Sequence, residues 1–129
     1  LMEMAVEEIL RWTTVTTHFR RTATSDQKLH GRAIREGDKV VLWWVGANYD
    51  ERKFKDPYRF NLHRDPNDHV AFGRNGPHLC LGAWLDRMEI RLTLQELLAR
   101  TSDIEVIETS DRLRSNLISG TKHLAVRVA

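Results

Sequence analysis

A chain of 129 residues with 41% hydrophobic and 29% charged residues can form one domain with a modest core, and nothing in it argues for two. The formal net charge of +2 is too small to imply a nucleic-acid partner, and no apolar run is long enough to span a membrane. A single cysteine excludes a disulfide framework and suits a reducing cytoplasm. His18, His30, His63, His69, His78 and His123 have neither ligand-like spacing nor accompanying cysteines, so no zinc site is expected.

Leu1 to Trp12 reads as a helix with no Ser, Thr, Asp or Asn ahead to cap it, so the chain reads as starting inside a helix. Thr13 to Ala23, rich in Thr and Val, predicts a strand. Lys28 to Ile34 predicts a tight hairpin turning at His30-Gly31. Lys39 to Val45 reads as a buried strand, followed by a short helical turn around Ala47-Asn48. From Tyr49 to Val70 periodicity vanishes, and Asp, Asn, Pro, Arg and Lys dominate a long loop.

Gly82 to Arg100 carries a sustained helical pattern. Leu85, Met88, Leu92, Leu94, Leu97 and Leu98 cover more than one face, which predicts a largely buried helix. Ile104 to Ile107, Leu113 to Leu117 and His123 to Val128 predict short strands, with a turn near Ser119-Gly120. The fold class is therefore mainly α with small antiparallel β-sheets.

Cys80 lies in the run Phe72-Gly73-Arg74-Asn75-Gly76-Pro77-His78-Leu79-Cys80-Leu81-Gly82-Ala83. Glycines there let backbone approach a flat cofactor closely, and the N-terminus of the following helix favours thiolate over thiol. An anionic sulfur held open in this way can ligate haem iron. By composition alone, the thiol could equally be a small buried hydrophobe.

Four ordered motifs resemble the cytochrome P450 family. Phe72 to Gly82 is similar to the family's haem-binding loop, in which Phe-Gly precedes Gly-x-His/Arg-x-Cys-x-Gly. Glu8-Ile9-Leu10-Arg11 matches its Glu-x-x-Arg helix, and Asp56-Pro57-Tyr58-Arg59-Phe60 its Pro-x-Arg-Phe segment. Leu81 to Glu89 matches the helix after the cysteine. The loop from Phe72 to Cys80 is one position longer than the common signature, because Arg74 and Asn75 both lie between Gly73 and Gly76. That length resembles the actinobacterial branch acting on steroids and methyl-branched lipids, as do Arg112 to Asn116 and Gly120 to His123. The match implies the C-terminal, haem-binding part of the domain, with the N-terminal two-thirds absent.

The resemblance implies haem b bound through Cys80, with His78 and Arg21 on the propionates. Phe72 would shield the thiolate, and Gly73, Gly76, Gly82 and Ala83 would complete the cofactor contacts. Arg20 would point away from Arg21 in an extended segment, so one of the two serves; Arg21 is preferred for its spacing to Asp26. Glu8 and Arg11 lie at i and i+3; exposed, such a pair is worth only ~0.2–0.5 kcal/mol. The resemblance instead implies a buried network in which Arg59 docks onto both, with Glu7 facing solvent. Val15, Thr16, Leu117 and Ile118 would touch an apolar substrate, although ordinary strand core explains their character equally well. Arg74 and Arg87 would steer an acidic, ferredoxin-type electron donor, or simply be solvated. Asp86 stands where the family commonly has a small residue.

The implied activity is that of a haem-thiolate monooxygenase hydroxylating a small apolar substrate with O₂ and two electrons. The acid–alcohol pair that delivers protons in the family would precede Leu1, so this chain alone is expected to be inactive. A haem-thiolate peroxygenase or isomerase, or a non-catalytic haem-binding remnant, are the alternatives.

Overall fold

The computed structural model describes residues 1–74 and 76–129. Its first helix, α1 (Met2–Thr13), buries Ala5, Val6, Glu8, Leu10 and Arg11, and no side chain caps Leu1. The helix ends because Thr14 turns left-handed, at φ 36°, while its hydroxyl donates to the Arg11 carbonyl at 2.6 Å. Thr13 is thus helical, and the strand expected from Thr13 onward starts only at His18.

That strand, β1 (His18–Thr22), leads into a hairpin of β2 (Gln27–Leu29) and β3 (Arg32–Ile34). His30 and Gly31 hold φ 48° and 81° in its turn, the paired positive angles that a two-residue hairpin of this hand requires. The strand β4 (Lys39–Trp43) pairs antiparallel with β1, placing His18 opposite Trp43 and Thr22 opposite Lys39. Exposure alternates along β4 because a two-stranded ribbon covers only one of its faces, so the expected buried strand is half-exposed. It is also shorter than expected, since Trp44–Asn48 turns into the short helix α2.

Tyr49 to Val70 is irregular, as its composition predicts, and is held by side chains rather than by a ladder. Asn48 is fully buried and fastens one end. Its Oδ1 accepts from Val70 N–H at 2.7 Å, its Nδ2 donates to Thr14 Oγ1 at 2.9 Å, and its carbonyl accepts from Arg11 Nη1 at 2.8 Å. Alanine at this position would keep the carbonyl for Arg11 but strand the Val70 N–H and remove the donor to Thr14, at about 1–3 kcal/mol for a buried group left unsatisfied. Chemical denaturation of Asn48→Ala is expected to show a loss of that size; an unchanged midpoint would remove Asn48 as the anchor.

The long helix α3 (Ala83–Arg100) packs on α1 and buries Ala83 at 2% exposure. Beyond its start it is not the buried helix the sequence predicts. Leu85 is 54% exposed and Leu98 65%, because α1 covers only the opening turns, where Glu7 meets Arg87 and Glu3 meets Arg91. After α3, β5 (Ile104–Val106) pairs with β8 (Val126–Val128), and β6 (Asp111–Arg112) with β7 (Thr121–His123). The strand expected over Leu113 to Leu117 is displaced to β6. Ser115 Oγ there accepts from Leu117 and Ile118 N–H, which closes a turn. The described residues thus form an α+β fold with small two-stranded antiparallel sheets, and none of the helices is long and apolar enough to cross a membrane.

Candidate cofactor site

Glu8 and Arg11 are both 0% exposed, so their interaction is not a surface pair of negligible worth. Arg11 clamps the Glu8 carboxylate with Nε at 2.8 Å and Nη2 at 2.9 Å, and its Nη1 donates to the carbonyls of Asn48 and Pro57. The third member is Arg64, not Arg59. Arg64 Nε donates to Glu8 Oε2 at 3.0 Å, and its other nitrogens donate to the carbonyls of Lys55, Asp56 and Arg59. Arg59 therefore contributes its backbone while its side chain is exposed. The loop coils back on itself after Phe60, and that path brings the later arginine to the carboxylate. Asn61 N–H and Asn67 Nδ2 complete the set on Glu8. Burial raises the Glu8 pKa, but the Arg11 clamp, the Asn61 N–H and the charges of Arg11 and Arg64 outweigh it, so the net shift is downward.

Glu7 does not face solvent as expected. Arg87 of α3 reaches it with Nε at 2.6 Å and Nη2 at 2.9 Å, and His69 Nε2 lies 2.9 Å from its Oε2. Ala71 N–H donates to His69 Nδ1, so the ring is the tautomer that donates from Nε2. Burial raises the Glu7 pKa, but hydrogen bonds from His69 and Arg87 and the positive charge of Arg87 lower it from 4.5 to about 2. A carboxylate with a depressed folded-state pKa contributes stability that is fully present above its unfolded value. Glu7's contribution should therefore hold above about pH 4.5 and be lost as pH falls toward 2. Denaturation midpoints across that window should fall more steeply for the native protein than for Glu7→Gln; parallel curves would remove Glu7 from the acid response.

Cys80 opens onto a cleft of about 560 Å³ with Leu10, Thr13, Val15, Thr16, Phe19, Ala71, Phe72, His78, Gly82, Leu85, Asp86 and Glu89 around it. Its loop is held by Cys80 N–H donating to the Phe72 carbonyl at 3.0 Å, and by Ala83 N–H donating to the Cys80 carbonyl at 3.2 Å. Gly73 takes φ 77°, a conformation other residues rarely adopt. Of the expected cofactor contacts, Phe72, His78, Cys80 and Gly82 line the cleft. Gly73 and Ala83 instead line the far side of the loop, with Glu7, His69 and Arg87, because Ala83 packs inward on α1. Asn75, which lengthens the loop, lies outside the described residues.

Phe19 and Arg21 share a face of β1, and the Arg21 guanidinium sits 6.0 Å from the Phe19 ring. Phe19 lines the cleft, whereas neither Arg20 nor Arg21 is among its lining residues. Two expected substrate elements meet although about a hundred residues separate them: Thr17 N–H donates to the Leu117 carbonyl, Ser119 N–H to the Val15 carbonyl, and Thr16 bridges Ile118. Arg74 and Arg87 are not free charges for a donor. Arg74 lies 3.4 Å from Asp68, and Arg87 is occupied by Glu7. Nothing in the structure explains an acid at Asp86. Composition pointed to none of Asn48, Arg64 or His69.

A family profile described as cytochrome P450 matches residues 1–117. The chain belongs to the cytochrome P450 family. It is 48% identical over 126 residues to a methyl-branched lipid omega-hydroxylase of Mycobacterium tuberculosis, covering 98% of this chain and 29% of that protein. A steroid C26-monooxygenase of the same species is 44% identical over 124 residues, covering 96% of this chain and 29% of its own length. Among solved structures, the P450 OxyD involved in biosynthesis of vancomycin-type antibiotics superposes with a TM-score of 0.95 at 38% identity. That match covers 99% of this chain and 33% of the other. The chain thus spans about 29% of the length of the curated relatives it matches.

Cytochromes P450 are haem-thiolate proteins, and the residues present fit haem b. The chain's one thiol lines a mostly apolar cleft whose volume falls in the range of cofactor sites, about 300–1,000 Å³. A Cβ added at Gly82 would lie 3.9 Å from Cys80 Sγ, so glycine leaves one flank of the sulfur uncovered.

Proposed function

We propose that this chain is the cysteine-bearing part of a monooxygenase that hydroxylates an apolar lipid or steroid. The observation that carries the reading is the shared cleft: Cys80, Val15 and Thr16 line one mostly apolar cavity, and the Leu117–Ile118 turn is hydrogen-bonded beside Val15 and Thr16. The names of the relatives, a lipid hydroxylase and a steroid monooxygenase, support the substrate class. The apolar side chains that α3 leaves in solvent support a chain that works within a larger haem domain.

Cys80 would hold the haem iron through its thiolate, which donates electron density to it. Haem, when bound, supplies the activation of O₂. His78 and Arg21 would hold the propionates as hydrogen-bond donors and cations. Gly76 and Gly82 would give the loop room beside the ring. Val15, Thr16, Leu117 and Ile118 would bind the apolar substrate by excluding water. Glu8, Arg11 and Arg64 would keep the loop docked so that the cysteine stays aimed at the cleft. Two electrons would come from a ferredoxin-type donor, and a free thiolate ligand fits the cytoplasm.

The test uses the complete protein that carries this chain. Its reduced, carbon-monoxide-bound spectrum should show thiolate ligation, which Cys80→Ser should abolish. Supplied with a ferredoxin reducing chain, it should hydroxylate a methyl-branched fatty acid or a sterol side chain. Thiolate ligation retained in Cys80→Ser would overturn the ligand assignment; product formed from peroxide but never from O₂ would overturn the monooxygenase reading.

A further inference from the structure

Two adjacent glutamates of α1 serve different partners. Consecutive helical residues point about 100° apart, so Glu8 reaches the long loop while Glu7 reaches α3 and the segment ahead of the cysteine. Glu7 holds Arg87 through two hydrogen bonds, at 2.6 and 2.9 Å, and Arg87 Nη1 also donates to the Ala83 carbonyl at 3.2 Å. The guanidinium so fixed lies 4.8 Å from the centre of the Phe72 ring, and His69, also bonded to Glu7, places its ring centre 6.3 Å from that of Phe72. The Phe72 backbone carbonyl in turn accepts the Cys80 N–H, and the residue lines the cleft beside the thiol. One carboxylate therefore fixes two groups that flank the aromatic neighbour of the thiol. Arg87 is also too well paired to act as a free surface charge.

We propose that Glu7 is a positioning residue: through Arg87 and His69 it holds Phe72 against Cys80 and so preserves thiolate ligation, a task separate from the loop docking done by Glu8. This rests on Cys80 being the haem ligand. Arg87 suits the role because its planar fork engages both carboxylate oxygens while its face stacks on an aromatic ring. A lysine would keep the charge and lose the fork.

The experiment uses the complete holoprotein, comparing native with Glu7→Gln, Arg87→Lys and Glu3→Gln. Glu3 is the control, an exposed acid of α1 that lies 3.6 Å from Arg91. Two quantities are read: haem bound per chain, and the rate at which the ferrous carbon-monoxide complex loses thiolate ligation. Partners that orient a metal ligand typically change such properties about 10-fold or more. Glu7→Gln should keep its haem and lose thiolate ligation roughly 10-fold faster, Arg87→Lys should fall between it and native, and Glu3→Gln should match native. Rates equal to native in both Glu7→Gln and Arg87→Lys would overturn the proposal, as would loss of haem from Glu7→Gln to the degree expected of Glu8→Gln. Should Glu7→Gln not accumulate, Arg87→Lys decides alone by the same rate. A native protein that never shows thiolate ligation would instead refute the underlying reading of Cys80.

Discussion

Glu8→Gln is expected to abolish haem incorporation and to destabilise the protein by about 3–5 kcal/mol, the cost of stripping a buried charge of its partner. Charge arithmetic makes this the most damaging single change in the network. One carboxylate faces two guanidiniums, Arg11 at 2.8 Å and Arg64 at 3.0 Å, and all three groups are buried. Glutamine keeps the shape and leaves both cations without a counter-charge in a poorly solvated place. Against a typical total stability of about 5–15 kcal/mol, such a loss is a large fraction. Haem content per chain and the denaturant midpoint, measured on the complete protein, provide the check. A Glu8→Gln protein that purifies with full haem would show that the carboxylate is dispensable.

Arg64→Ala should release the long loop while Arg59→Ala should be nearly silent. Removing Arg64 leaves the neutral Glu8–Arg11 pair intact, so the damage is smaller than for Glu8→Gln. What is lost is the hydrogen bonding to Glu8 and to the carbonyls of Lys55, Asp56 and Arg59, worth about 1.5–3 kcal/mol per charged partner. The Arg59 side chain is exposed, and surface substitutions of that kind usually fall within about ±0.5 kcal/mol. Limited proteolysis between Glu51 and Asn67, read with the unfolding midpoint, separates the two variants. An Arg59→Ala variant more damaging than Arg64→Ala would show that Arg59, not Arg64, docks the loop.

The Arg59 and Arg64 pair shows why part of the site was illegible. Both arginines lie in an aperiodic loop, and no spacing says which one returns to α1. The answer depends on how the chain coils between Asp56 and Arg64, where the Arg64 guanidinium gathers three carbonyls of its own loop. Glu7 was hidden for a related reason. Its partners Arg87 and His69 are 80 and 62 residues away, beyond the reach of any helical periodicity. Asn48 looked like an unremarkable turn residue, and only the packing of α2 against Thr14 and Val70 makes it a buried hub. The burial expected for α3 failed in the opposite direction, since an apolar pattern states what a helix needs covered and not what covers it.

The sequence by itself determined the features whose causes are local. These are the His30-Gly31 hairpin, demanded by two consecutive positive φ angles; the helix over Ala83–Arg100, set by periodicity; and the lone thiol among glycines ahead of it. Tertiary structure alone decided which of two neighbouring glutamates meets the loop and which meets α3. It also decided which arginine docks, and that Val15 and Thr16 share a cleft with Cys80. The physical reason is one of range. Backbone conformation and amphipathicity are written within a few residues, whereas buried charges choose their partners by where the folded chain brings a carboxylate, a guanidinium and the carbonyls that complete their hydrogen bonding.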